Sequence, residues 1–274
     1  MATGISPSRG RSVPAGGLAS GCHCLGLVLV LLILLITWSF ALKLNAETNG
    51  LHSLPRTPDG FKTFARSEYL KADAELKKDP SDAAAAWNFG RTCFDLAEWA
   101  TNKQERVELA QKGIDACQAA IAKAPDQAPP HYYLGMNLGQ LARTRTLGAL
   151  KLVTQMRKEF ELALAKDEGF DHAGPDRNLG LLYRDAPSFG SIGDRRQAQT
   201  HLERAAQLQG DYPENRLNLC ESYLKWGDRG SAERELKALL KDWETAHSRF
   251  NGPEWAASWA DWQPRLAAVR KKLE

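Results

Sequence analysis

An acid, a histidine and an arginine lie close together around a Gly-Pro turn in Asp171-His172-Ala173-Gly174-Pro175-Asp176-Arg177. Side chains of these types could pass a proton to and from a substrate, so one reading of the segment is a hydrolase centred on His172. The same residues would equally serve to cap a helix and set a turn between repeats. No second catalytic signature supports the enzyme: the chain lacks a P-loop, HExxH, GxSxG or a dinucleotide fingerprint. The other histidines, His23, His52, His131, His201 and His247, are scattered. Cys93, Cys117 and Cys220 are an odd number without metal-ligand spacing, and they fall on small or apolar helical positions, as buried thiols would. A Cys93–Cys117 disulfide is the alternative in an oxidising compartment. The chain is therefore read as a non-enzyme that uses no cofactor and no metal.

The elements around these residues follow from an internal repeat. A large residue followed by a small one recurs as Phe89-Gly90, Leu134-Gly135, Leu179-Gly180 and Leu219-Cys220, the second members 45, 45 and 40 residues apart. Cys93, Leu138, Tyr183 and Tyr223 lie three positions on and complete one face of a first helix. A second helix follows each time, marked by Gly113, Cys117, Ala120; Met156, Phe160, Ala163; Ala198, Leu202, Ala205; and Ala232, Leu236, Leu239. The interval between the two marks shrinks from 23 to 21, 18 and 12 residues, which reads as chain inserted in the first-to-second-helix connections. Asp79-Pro80-Ser81-Asp82 is expected to cap one helix and Asp211-Tyr212-Pro213-Glu214 to form a capping box for another. Gly193-Asp194 and Gly227-Asp228 are expected to start second helices.

The LG-x-x-Y pattern followed by A-x3-F and a small residue resembles the tetratricopeptide repeat, and a spacing near 45 also suits HEAT-type helix pairs. The fold class expected is all-α: a TPR-like α-solenoid of about four helix pairs, flanked by an N-terminal transmembrane helix and a C-terminal capping helix. Within this class, His131 to Leu150, Asp171 to Tyr183 and Asp211 to Leu219 look like bacterial envelope tetratricopeptide proteins similar to the T component of TRAP transporters. That resemblance implies an accessory role in envelope solute handling beside a solute-binding partner.

The ends divide the chain further. Residues 25–42, LGLVLVLLILLITWSFAL, carry no charge and are about long enough to cross a bilayer. Arg9 and Arg11 precede them, so residues 1–24 are expected in the cytoplasm and the body on the periplasmic side of a single-pass inner membrane protein. If the stretch is instead a cleaved signal peptide, the body is secreted to the periplasm. Residues 43–60 read as a linker, 61–241 as the solenoid and 242–274 as a Trp-rich cap, which could also hold a second copy of the chain in a homo-oligomer. Lys+Arg outnumber Asp+Glu by 36 to 33 overall, but by only 34 to 33 beyond residue 42, a near-neutral body that excludes nucleic acid as a partner.

A solenoid's use is its concave wall. Register from each Leu-Gly places Trp87, Arg91, Tyr132, Met136, Arg177, Leu181 and Glu221 toward it as a groove for a protein or peptide partner, and Phe189, at the tip of the Gly/Ser-rich 186–193 loop, as a lid residue. The function expected is a membrane-anchored, non-enzymatic scaffold for protein–protein interaction.

Overall fold

The computed structural model describes residues 57–145 and 148–274. The transmembrane, cytoplasmic and most of the linker expectations (1–24, 25–42, 43–56) lie outside the described residues. Among those described, no helix is long and apolar enough to cross a membrane.

Ten α-helices, and no strand among the described residues, run as α1 (Pro58–Lys78), α2 (Ala83–Glu98), α3 (Lys103–Lys123), α4 (Ala128–Ala142), α5 (Ala149–Lys166), α6 (Phe170–Asp185), α7 (Arg195–Leu208), α8 (Pro213–Lys225), α9 (Arg229–Arg249) and α10 (Ala256–Leu273), with a 3₁₀ turn at Pro253–Trp255. Side-chain oxygens accept the free amide hydrogens at several starts: Thr57 from Gly60, Asp82 from Ala84, Asn102 from Glu105, Asp194 from Arg196 and Gln197, and Asp228 from Ser231. Each such cap is worth about 1 kcal/mol. Two expected caps differ. Asp79 closes the turn after α1, where its Oδ1 accepts from the Ser81 amide at 2.8 Å, and the cap proper is Asp82. Tyr212 stands at the N-cap of α8 without a side-chain cap bond, because the short acid Asp211 lies one residue before it and pairs with Arg249. α1 also begins at Pro58, inside the segment expected to be linker.

The pairs α2/α3, α4/α5, α6/α7 and α8/α9 stack in chain order, with α1 against α2 and α10 against α8 and α9. The repeated small residues mark where paired backbones approach most closely. A Cβ on Gly135 would stand 2.6 Å from the Phe160 ring, and one on Gly180 2.6 Å from Leu202; Gly90 meets Cys117 more tightly still. The intervals read as insertions are partly helix: α3 runs for 21 residues, whereas the 186–194 stretch between α6 and α7 is true loop. Only longer helices lengthen the first unit, since α2 and α3 are joined by residues 99–102.

Two buried clusters carry most of the packing. One joins Tyr132, Leu134, Leu138, Phe160 and Leu179 across α4 to α6, and the other joins Tyr212, Leu217, Leu239, Phe250, Trp259 and Trp262 across α8 to α10. The tryptophans of the C-terminal segment thus turn inward onto the last repeat. Cys93, Cys117 and Cys220 are free, buried thiols, so no Cys93–Cys117 bond forms. Burial pushes the Cys93 and Cys220 thiols up to about 12 and raises Cys117 as well, leaving almost no thiolate near neutral pH. Iodoacetamide at pH 8 should leave all three unmodified in the folded protein and modify them fully in guanidinium, as read by peptide mass spectrometry. Labelling of Cys117 in the folded state would contradict its burial.

Candidate functional site

Asp171, His172 and Ala173 adopt φ values of +49°, +56° and +59°, a left-handed turn built without glycine. Each such residue costs on the order of 1–2 kcal/mol, so the turn persists only because its surroundings hold it. The holder is Arg177. From the first turns of the right-handed part of α6, its Nη1 donates to the carbonyls of Asp171 and His172 at 3.1 and 3.0 Å and to Asn215 Oδ1 at 3.2 Å. Its Nη2 donates to Asp171 Oδ2 at 2.8 Å. Tyr132 donates its hydroxyl to the same carboxylate at 2.5 Å and accepts from Asn178 at 3.0 Å. The guanidinium also lies 5.1 Å over the Tyr212 ring. Burial opposes the charge on Arg177, but the Glu214 and Asp171 carboxylates beside it hold the guanidinium protonated.

The four polar side chains of the segment that suggested proton transfer therefore point three ways. Asp171 and Arg177 clamp the turn. Asp176 is fully buried against α7, where it meets His201 Nδ1 at 2.7 Å and Arg204 Nε at 3.2 Å. The His172 ring stacks on Tyr212 at 4.4 Å, edged by Phe250 and Trp255, and desolvation there lowers its pKa below the ordinary histidine value. These four side chains do not converge on one reacting centre.

Among the described residues, one open site is a cavity of about 510 Å³. Phe61, Phe64, Ala65 and Glu68 of α1 form one side, and Pro253, Glu254, Trp255, Ala257 and Ser258 of the 3₁₀ turn and α10 form the other. Arg91, Asp95, Glu98 and Trp99 of α2, Tyr133 of α4 and Asp171 of α6 complete the wall. Both ends of the described chain thus meet the inner helices around one space. Asp95 lines this cavity and remains 39% exposed. The protein around it raises its carboxyl to about 6, chiefly by desolvation; Arg91 opposes the shift, and Asp171, Glu98 and Glu68 add to it.

Of the residues placed on the groove from register, Arg91 lines the cavity. Tyr132 and Arg177, 1% and 4% exposed, are buried in the clamp. Trp87 stacks on Tyr133 at 6.0 Å, Met136 packs on the α4–α6 cluster and Leu181 on the α7–α9 cluster. Glu221 accepts two bonds from Arg265 of α10. Phe189 is 99% exposed on its loop and is not among the residues lining the cavity. Asp95 and Glu98 stand four and seven positions after Arg91, one face of α2, and that spacing is the signal that would have found them.

These stacked pairs, closed through small residues, define an all-α, tetratricopeptide-like solenoid. Residues 61–169 match the family described as Regulator of microtubule dynamics protein 1-3, a span of less than half of the chain. No curated protein matches the sequence. Among solved structures, the thermophilic TPR protein TTC0263 of Thermus thermophilus is similar at 19% identity and a TM-score of 0.56, covering 76% of this chain and 92% of that one. MamA matches at 17% identity and a TM-score of 0.46, over 73% and 94% of the two chains. Yeast Tom70 matches at 11% identity and a TM-score of 0.26, over 78% and 63%.

Proposed function

We propose that the protein is a non-catalytic scaffold whose inner cavity grips a segment of a partner protein. The observation that carries this reading is the cavity itself. Its walls come from α1, α2, α4, α6 and the C-terminal α10, so they depend on the whole described stack, and they mix aromatic surface with a few polar anchors. The family matched over residues 61–169 is described by regulation of microtubule dynamics, a role exercised on a protein polymer, which agrees with a partner that is protein. As a tether we propose residues 25–42, which hold the chain at a membrane.

In-cell crosslinking of the full chain, followed by identification of the crosslinked partner in the membrane fraction, tests this. Ser258→Trp places bulk in the cavity without removing a core side chain, and it should abolish the crosslink. Leu150→Ala, at an exposed position outside the cavity lining, should preserve it. A crosslink that survives Ser258→Trp unchanged would overturn the reading. Native mass spectrometry covers the second candidate, a T-component-like accessory subunit for solute transport: a small molecule retained by the wild-type chain and lost in Ser258→Trp would favour it.

A further inference from the structure

We propose that the cavity receives a lysine or arginine side chain of the partner segment, seated against its aromatic rings and among its carboxylates. This rests on the scaffold reading above and names the chemistry of the occupant.

The lining is asymmetric in charge. Among the described residues, Glu68, Asp95, Glu98, Asp171 and Glu254 bring carboxylates to it, Arg91 brings the one cation of the lining, and Phe61, Phe64, Trp99, Tyr133 and Trp255 bring rings. Arg91 is already engaged, with Nε donating to Asn88 at 3.2 Å and Nη1 3.5 Å from Asp95. An anionic segment would face those carboxylates, and among the described residues no free cation in the lining would receive it. An uncharged apolar segment would strip water from the carboxylates and supply no donor in its place.

A basic side chain meets both halves of the wall. Its methylenes and charge lie well on ring faces, and its N–H groups donate to carboxylate oxygens in charge-assisted bonds. Three of the wall carboxylates pair with cations outside the lining, Glu68 with Lys71, Glu98 with Arg143 and Asp171 with Arg177, and Asp95 pairs with Arg91 within it. Each ionised carboxylate accepts about four hydrogen bonds, which leaves acceptor capacity for an incoming donor. Burial and, to a smaller degree, the neighbouring Asp171, Glu98 and Glu68 disfavour the charge on Asp95, and an incoming cation would oppose both. The occupant is a peptide segment because the cavity walls come from successive inner helices, the surface along which a solenoid holds an extended chain.

Fluorescence anisotropy on the full detergent-solubilised chain tests this with three labelled Gly/Ser peptides that carry lysine, arginine or glutamate at the same positions. The lysine and arginine peptides should bind, more weakly as salt rises, and the glutamate peptide should not. Asp95→Asn with Glu254→Gln should weaken binding roughly tenfold while the thermal melt stays in place. Asp115→Asn with Glu161→Gln makes the same change of charge at exposed positions outside the cavity lining and should leave binding unchanged. Equal binding of the glutamate peptide, equal weakening by the Asp115 and Glu161 pair, or spermidine binding as tightly as the peptides would each overturn the proposal. A cavity-dependent crosslink in cells together with no binding of either basic peptide would overturn this inference alone and leave the scaffold reading intact.

Discussion

Arg177→Met lowers the unfolding free energy by about 3–5 kcal/mol, the range for removing one partner of a buried ionic network. Methionine fills much of the arginine volume, so the loss is not mainly a cavity. It comes from what the guanidinium leaves behind. The Asp171 carboxylate loses its charged donor, the carbonyls of Asp171 and His172 lose theirs, and the Tyr132 hydroxyl is left to hold Asp171 alone. Three consecutive non-glycine residues then remain at positive φ with little to hold them there. Arg177→Lys restores the charge but not the planar fork that reaches Asp171, His172 and Asn215 together, so it should recover only part of the loss. Urea unfolding curves of the three proteins measure this. A change in midpoint worth less than about 1 kcal/mol for the methionine variant would mean that the turn is held by packing alone.

The repeat was readable before the structure because its constraint is local. Where paired helices approach, Gly90, Gly135 and Gly180 leave no room for a Cβ, and such positions recur at near-constant spacing. The Asp194 and Asp228 caps were readable for the same reason, since a short polar side chain followed by a helical run states its own role. The left-handed turn was not. Asp and His are enriched at positive φ but far from confined to it, and Arg177 reads as a groove residue until the turn folds Asp171 back over it. The cavity was hidden for a different reason. Phe61, Trp99 and Trp255 are far apart in the chain, and each is explained locally as core or cap. That they border one space follows from the curvature of the whole stack, which repeat spacing does not encode. The register that placed Tyr132 on the wall missed by one residue: Tyr133 lines the cavity while Tyr132 turns into the core.

Trp262→Ala lowers the opening free energy of α10 by about 3–5 kcal/mol, the usual cost of truncating a large buried aromatic. Trp262 is 1% exposed, and its ring meets Tyr212 edge-on at 5.3 Å and Trp259 at 5.0 Å. The polar ties of α10, Arg265 to Glu221 and Asn218 and the Arg229 side chain to the carbonyls of Lys272 and Leu273, are only partly buried or exposed. Such contacts hold little alone, so the helix rests on its aromatic face. In a repeat stack each unit touches mainly its neighbours, and the damage should therefore stay at one end. Hydrogen exchange is expected to show α10 and the end of α9 losing protection while α2 to α5 keep theirs. Because Trp255, Ala257 and Ser258 form one side of the cavity, the same variant should also lose binding of the basic peptides although every inner-helix carboxylate is intact. Uniform loss of protection across all helices would show that the solenoid unfolds as one unit. Full peptide binding with α10 open would show that the C-terminal helix is no part of the site.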